Sequence, residues 1–392
     1  MNSSFWEFIE AKPLYYKKID HKRVHKAYAL LQPKIKQPLT IHIVGTNGKG
    51  STGRIMASLL HFSGKRVGHF SSPHILKFNE RIWIEGQDIV DSSLDLAHEK
   101  LHAILGKEMS NTLSYFEYTT LLALVAMESL EVIVLEAGLG GEFDATNVCS
   151  KILSVITPIG LDHQDFLGET IEEIATTKMN SIDKEFVLAL QTHDEVYAVS
   201  EKIIKKKKAK CHDVKTFQET YPTEYEEAKV LTEKLAWSDY LFENTLLALY
   251  ALKKANLTHT IGDLEKVKLF GRFHRILPNV IIDVGHNLLA TKAIIKALKK
   301  EEKWILVYNA LNDKDYVSIL KAFRPYVTSV EIMELKTARA LEKNLLEEAL
   351  RTLNISYRDF DVINPKKHYL VFGSFYVIES FLNKNKLNRE IH

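Results

Sequence analysis

The run Gly45, Thr46, Asn47, Gly48, Lys49, Gly50 and Ser51 has the residue types and spacing of an anion cradle. Its glycines let the backbone curl until successive N–H groups face one anion, and a helix beginning there adds a favourable dipole. Lys49 brings a positive charge suited to β- and γ-phosphates, and Ser51 a hydroxyl for Mg²⁺. Gly50 intervenes between Lys49 and Ser51, a departure from the common Gly-x₄-Gly-Lys-Ser/Thr pattern. The plain alternative is an ordinary glycine-rich turn; a strand before and a helix after favour phosphate.

Four further positions carry chemistry. Val132-Ile-Val-Leu-Glu136 reads as an apolar strand ending in an acid, followed by Ala-Gly-Leu-Gly-Gly141. Strand ends are where α/β sheets bind ligands, so Glu136 is a candidate Mg²⁺ ligand, the alternative being a carboxylate facing solvent. His163, in Thr157-Pro-Ile-Gly-Leu-Asp-His163, lies in a second strand-end loop; as a nitrogen donor it is an atypical Mg²⁺ ligand, and packing or surface placement competes. Lys178 reads from pattern alone as a surface lysine on a helix. Asp283-Val-Gly-His-Asn287 follows a buried strand and precedes a helix, so it suits either ligand contact or a helix cap.

The elements that must position these residues alternate between strand and helix. Leu39–Val44 runs into the glycine-rich loop, and Ile55, Met56, Leu59, Leu60 and Phe62 recur after it at helical spacing. Apolar runs at Val132–Leu135, Ile152–Ile156 and Phe186–Leu190 are separated by helical patterns around 117–130, 170–181 and 194–208. A second series starts near residue 279 with Val280–Asp283, a helix bearing Ile294, Ile295 and Leu298, then Trp304–Tyr308, Val327–Met333 and Tyr369–Phe372. Leu257–Arg272 is a candidate linker after a helix at Glu243–Ala255. The pattern predicts an α/β fold in two domains, each a mostly parallel sheet covered by helices.

Composition narrows the class. A chain of 392 residues suits two domains, and 46% apolar residues allow buried cores. A net charge of +2 argues against a nucleic-acid partner bound by bulk charge, and Lys205–Lys208 reads as a solvated helix face. Cys149 and Cys211 form no framework, which points to a reducing cytoplasm. Neither a signal-peptide pattern at Met1–Glu7 nor a membrane-spanning apolar run is visible.

Several short motifs, in register, resemble one family: the folylpolyglutamate synthase/dihydrofolate synthase branch of the Mur ligase superfamily. Besides Gly45–Ser51 they are Phe70-Ser-Ser-Pro-His74, Phe78-Asn-Glu-Arg81, Ser114-Tyr-Phe-Glu-Tyr118, Leu135-Glu-Ala-Gly-Leu-Gly-Gly141, Asp144-Ala-Thr-Asn147, Leu161-Asp-His163, Gly271-Arg-Phe273, Ile282–Asn287, Asn312-Asp-Lys-Asp315 and Phe372-Gly-Ser-Phe375. The resemblance runs from about residue 40 to the C-terminus and is poorest between 190 and 240. It implies a P-loop NTPase-like ATP-binding domain over 1–265 and a smaller Rossmann-like glutamate-ligase domain over 266–392. It implies Mg²⁺ ligation by Ser51, Ser72, Glu136 and His163, and a carbamylated Lys178 that helps hold a second Mg²⁺. The family continues that lysine with Ala-Gly, whereas Met179-Asn180 follow here. Asn244, Arg272 and Asp283 match nucleotide-contacting positions; Lys49, Lys178 and His286 match catalytic ones; Ser114, Phe116 and Asp144 match pterin-binding ones. For the last group the competing reading makes Phe116 core and Asp144 a turn cap.

The implied reaction is ATP-dependent addition of L-glutamate to dihydropteroate, to the tail of a reduced folate, or to both, by a cytoplasmic monomer working on small molecules, away from membranes. Amide formation from a free carboxylate needs a better leaving group, which an acyl phosphate supplies. A peptidoglycan-type Mur ligase acting on another carboxylate is the nearest alternative; Ser114–Tyr118 and the lack of an extra N-terminal UDP-binding domain argue against it. A nucleotide-switched binding protein is the alternative outside enzymes, and it would leave the second-domain motifs without a role.

Overall fold

Uninterrupted apolar strands between amphipathic helices can only satisfy both sheet faces if helices cover them, and the fold has this form. The computed structural model describes residues 4–13, 20, 22–298 and 303–387. It divides into two compact units. The first takes the described chain up to Ile159 with Leu167–Ala228 and Glu243–Val267; the second takes Gly160–Phe166, Lys229–Phe242 and the described chain from Lys268 onward.

The first unit holds eight strands: β1 (Leu39–Val44), β2 (Val67–Phe70), β3 (Ile82–Ile84), β4 (Gln87–Asp88), β5 (Val132–Glu136), β6 (Leu153–Ile156), β7 (Glu185–Leu188) and β8 (Lys210–Asp213). Their order is β4-β3-β2-β5-β1-β6-β7-β8. The six from β2 to β8 in that order are parallel, and β3 and β4 add an antiparallel edge. The pairings Ile43↔Glu136 and Val44↔Ile156 bring the carboxyl ends of β5, β1 and β6 side by side. Three of the loops singled out from sequence leave from these ends.

The helix Lys49–Phe62 packs on β2 and β5. One core joins the helices Phe5–Glu10, Arg23–Leu31, Asp91–Thr112 and Tyr115–Ala126 to Phe70, Ile133 and Leu135. Another joins Ile171–Met179 and Asp194–Lys207 to Ile156, Phe186 and Leu188. Leu257–Arg272, expected as a linker, carries a 3₁₀ turn at Ile261–Lys266 whose Ile261 and Leu264 are buried; its residues up to Val267 pack with the first unit.

The second unit holds β9 (His274–Leu277), β10 (Val280–Asp283), β11 (Trp304–Tyr308), β12 (Val327–Ile332), β13 (Tyr357–Asp359) and β14 (His368–Phe372), ordered β13-β12-β11-β14-β10-β9. All pairings are parallel except β9 with β10. Its core gathers Trp304, Leu306, Phe323, Leu346, Leu370 and Phe372. The edge strands β4, β8, β9 and β13 escape the sequence pattern because they are short or polar, as edges exposed to pairing usually are. Among the described residues no helix is long and apolar enough to cross a membrane.

One buried cation organises the segment leading to Ser114. Lys12 Nζ donates to the Ser110 carbonyl at 2.6 Å and the Leu113 carbonyl at 2.9 Å, and lies 4.5 Å from the Phe8 ring centroid. These carbonyls close the helix Asp91–Thr112, which has no intrahelical donors left for them. Burial pulls the Lys12 amine down to about 8, with the Glu117 charge resisting and the Arg23 charge assisting. Its folded value lies below the unfolded value of 10.5, so within this window the unfolded chain holds the proton and the folded chain does not. Stability therefore rises with pH across that window. Lys12→Met should abolish this rise: thermal midpoints measured from pH 8 to 10.5 should climb in the parent relative to the variant. Parallel curves would remove the account.

Candidate active site

The loop after β1 turns through Gly45 and Gly48. Gly48 has φ +85°, caps the helix Lys49–Phe62, and sits so close to Asn244 that a Cβ there would lie 2.6 Å from Asn244 Oδ1. Only glycine meets both demands without strain. The N–H groups of Thr46 and Asn47 donate to the Pro158 carbonyl at 3.0 and 3.2 Å, tying the loop to the end of β6. Ser51 and Asn244 are buried, yet among the described residues neither Ser51 Oγ nor Asn244 Nδ2 has a hydrogen-bond partner. An unsatisfied buried polar atom costs about 1–3 kcal/mol, so a hydroxyl and an amide left open at one loop fit an oxygen-rich ligand seated against it.

Beside the loop, Glu136 is 5% exposed rather than facing solvent, because it is the last residue of a fully buried strand. Its Oε2 accepts from the Ser72 amide at 3.3 Å, and its Oε1 lies 3.9 Å from Lys49 Nζ. Lys49 itself donates to the Gly45 and Thr46 carbonyls at 3.2 and 3.3 Å. Ser51, Ser72 and Glu136 all carry side-chain oxygens, the donor type that Mg²⁺ prefers. Among the described residues no three His, Cys, Asp or Glu side chains gather as a metal centre.

Lys178 is not the surface residue that helical pattern suggests. It is 5% exposed, and its Nζ donates to the Gly45 carbonyl at 3.0 Å. The reason is tertiary: a Cβ on Gly141 would overlap the Lys178 carbonyl oxygen, and Glu142 N donates to Thr177 at 2.9 Å, so the glycine-rich loop after β5 lies directly on this helix. Asn180, where the resemblance has a glycine, donates from Nδ2 to Glu142 Oε2 at 2.8 Å and strengthens the same contact.

Ser114 caps the helix Tyr115–Ala126: its Oγ accepts from Glu117 N at 3.3 Å while Glu117 Oε2 accepts from Ser114 N at 2.8 Å. Such a cap contributes about 1 kcal/mol. Phe116 packs partly buried against the first core and presses on Gly138. Asp144 is buried, and its carboxylate accepts from Leu139 N at 2.8 Å, Thr146 N at 2.9 Å and Thr146 Oγ1 at 2.6 Å. Burial pushes its carboxyl up, against the pull of these donors. Thr146 Oγ1 also lies 2.8 Å from His42 Nε2 on β1, linking the loop back to the central strand. Asp144 thus holds the loop 138–146 together, and capping is the work its contacts show.

In the second unit Asp283 ends β10 and accepts from Tyr240 OH at 2.7 Å, Phe273 N at 2.8 Å and Gly285 N at 2.8 Å. Burial raises both its carboxyl and the Tyr240 phenol. These donors fix the turns bearing Arg272 and His286. The Arg272 guanidinium lies 5.3 Å from the Phe375 ring centroid. His286 Nδ1 is 3.1 Å from the Val284 carbonyl and its Nε2 3.4 Å from Asp162 Oδ2, so the ring lies between two groups that can only accept. Asn287 caps the helix Leu288–Ala297.

Asp162, singled out from sequence only as part of the Leu-Asp-His motif, is the hub here. Its Oδ1 accepts from Lys314 Nζ at 2.6 Å and from His163 N at 2.9 Å, and its Oδ2 accepts from Asn287 Nδ2 at 3.1 Å. Burial pushes the Asp162 carboxyl up, but His286, His163 and Lys314 outweigh it and hold it far below the usual carboxylate range. Breaking such a buried pair costs about 3–5 kcal/mol. His163 follows with φ +52°. That Lys314 closes this pair could not be read from motifs 152 positions apart.

Residues 43–244 match the Mur ligase middle domain. A Haemophilus influenzae protein named dihydrofolate synthase/folylpolyglutamate synthase is 32% identical over 92% of this chain and 91% of its own length. The crystal structure of Helicobacter pylori folylpolyglutamate synthetase is 35% identical with a TM-score of 0.76, covering 97% of each chain. Escherichia coli FolC in complex with DHPP and ADP superposes with a TM-score of 0.82 at 26% identity, covering 99% of each chain. A strand-to-glycine-loop-to-helix cradle beside a buried glutamate, carried on a chain alike over nearly its whole length, makes this protein a member of the dihydrofolate synthase/folylpolyglutamate synthase family of Mur ligases.

Proposed function

We propose that this protein uses ATP to join the amine of L-glutamate to a carboxylate of dihydropteroate, of the glutamate tail of a reduced folate, or of both. The observation that carries the reading is the Gly45–Ser51 cradle, with its open Ser51 hydroxyl and the Lys49–Glu136 pair beside it. The region 1–265 takes the role of the ATP-binding domain and 266–392 that of the ligase domain, with the protein a cytoplasmic monomer.

The loop amides and Lys49 hold the triphosphate and neutralise charge as the γ-phosphoryl group passes to the substrate carboxylate. This gives an acyl phosphate, whose leaving group is phosphate. The glutamate amine attacks the acyl carbon and loses a proton, and the amide, ADP and phosphate leave. Ser51, Ser72, Glu136 and His163 would hold Mg²⁺, which supplies charge neutralisation at the transferring group. A second ion would involve Lys178 as a carbamate; its buried amine against the Gly45 carbonyl supports this, because a carbamate nitrogen keeps one N–H for that bond. Asn244, Arg272 and Asp283 serve the nucleotide, Asp283 through the turns it organises. His286 joins Lys49 and Lys178 as a catalytic group, and Ser114, Phe116 and Asp144 shape the pterin site. Phe116 offers a ring face for stacking.

Glutamate-dependent ADP release, with dihydropteroate or tetrahydrofolate present, tests the reaction; no glutamate dependence with either would remove it. Lys49→Ala should abolish that release, leaving circular dichroism and thermal midpoint unchanged; normal turnover would reject the cradle assignment. ¹³CO₂-treated protein should show a carbamate carbon signal that Lys178→Arg lacks, and an active protein without that signal would exclude the modification. Asp144→Ala should depress dihydropteroate glutamylation far more than tail extension, with a stability loss of about 1–2 kcal/mol from the lost cap. Paired steady-state assays and denaturant midpoints check this, and undiminished activity in both reactions would take Asp144 out of the pterin site.

A further inference from the structure

The Asp162–Lys314 pair has no part in the chemistry above, and the buried Lys314 ammonium is engaged by Asp162 Oδ1 at 2.6 Å. Its head is delivered by a turn that is held independently. Lys314 N donates to the Leu311 carbonyl at 3.1 Å, Leu311 bridges to Ala340, and Asp315 caps the helix Tyr316–Phe323 through Ser318 N at 3.1 Å. Lys314 Nζ also lies 3.4 Å from Asp313 Oδ2, and Asp313 accepts from Arg339 at 3.1 Å.

What the pair restrains is a main-chain turn. His163 has φ +52°, a left-handed conformation that a residue with a Cβ keeps only where its surroundings hold it. Two bonds hold it: the His163 carbonyl accepts from Phe166 N at 3.0 Å, and His163 N donates to Asp162 Oδ1 at 2.9 Å, the oxygen that also takes the Lys314 ammonium at 2.6 Å. The His163 side chain is 34% exposed, and its Nε2 lies 4.0 Å from the same Asp162 Oδ1, so its direction is tied to the turn and to that carboxylate. Asp162 Oδ2 meanwhile accepts from Asn287 Nδ2 at 3.1 Å, which keeps the carboxylate from rotating about its own axis.

We infer that Lys314 is a positioning residue: through Asp162 it sets the backbone at His163 and so aims the imidazole. That the imidazole is aimed at a metal rests on the Mg²⁺ reading above. Groups that hold a metal ligand govern its orientation, and their loss costs about 10–100-fold in affinity; here Asp162 is that group and Lys314 fixes Asp162.

The test uses the full chain with Lys314→Met, which keeps length and bulk but removes the charge and the donors. Lys314→Gln, which keeps a donor, takes its place if the Met variant does not fold. Two quantities are read: the Mg²⁺ concentration giving half-maximal glutamate-dependent ADP release, and amide hydrogen exchange in the segment 160–166. The expected result is a rise of about tenfold or more in half-saturating Mg²⁺, with kcat at saturating Mg²⁺ largely kept and exchange in 160–166 faster. Unchanged Mg²⁺ dependence in a Lys314 variant, while His163→Ala shifts it, overturns the inference, as does a fall in kcat alone. If His163→Ala leaves the Mg²⁺ dependence untouched, the metal reading fails by itself. Exchange then decides the positioning role: faster exchange upholds it, unchanged exchange overturns it.

Discussion

The parallel register of β1 with β5 and β6 is the constraint on which the first unit depends. With Ile43 opposite Glu136 and Val44 opposite Ile156, three strand ends finish together, and three loops must leave from one edge. Parallel strands run the same way, so their carboxyl ends share one side of the sheet, and the helices that return the chain occupy its faces. A one-residue slip between β1 and β5 would turn Glu136 to the other face of the sheet, away from Lys49 and the Ser72 amide. The position of the acid is thus a consequence of strand pairing, itself driven by burying Ile41, Ile43, Ile133 and Val134.

Charge placement follows the same economy in both units. Glu136, Asp144, Asp162 and Asp283 are all buried or nearly so at strand ends or in the turns that follow them. Each is surrounded by backbone amides, hydroxyls or a cation, as buried carboxylates must be. Their neighbours differ, and so do their roles. Asp144 and Asp283 accept from backbone amides and hydroxyls and shape turns. Asp162 is matched by the buried Lys314, which ties two segments distant in sequence. Glu136 accepts from the Ser72 amide at 3.3 Å and lies 3.9 Å from Lys49 Nζ, which places its carboxylate beside the glycine-rich loop.

The turn residues show why the loops hold their shape without long secondary structure. Gly48 starts a helix with a left-handed φ while lying against Asn244, and His163 takes the same region under the grip of Asp162. The first is solved by removing a side chain, the second by adding a hydrogen bond. The two solutions differ in what they allow: a glycine cradle leaves room for a bulky anion, whereas a histidine turn presents a side chain of its own.

Apolar runs were enough to define β1, β5, β6 and β7 and the main strands of the second sheet, because hydrophobic periodicity is a local property of the chain; the interior strand β2, only four residues long, escaped it. The glycine-rich loop was legible for the same reason, its spacing being contained in seven residues. A strand-end pattern pointed to Glu136 and raised His163, whereas Ser72 and the modified Lys178 came from the resemblance alone. Tertiary structure alone decided that Lys178 is buried against Gly45, that Asp144 spends its oxygens on its own loop, and that Lys314 reaches Asp162 across 152 positions. Each of these depends on which segments become neighbours after the sheets form, and burial and pairing between distant segments are not encoded in the spacing of either segment by itself.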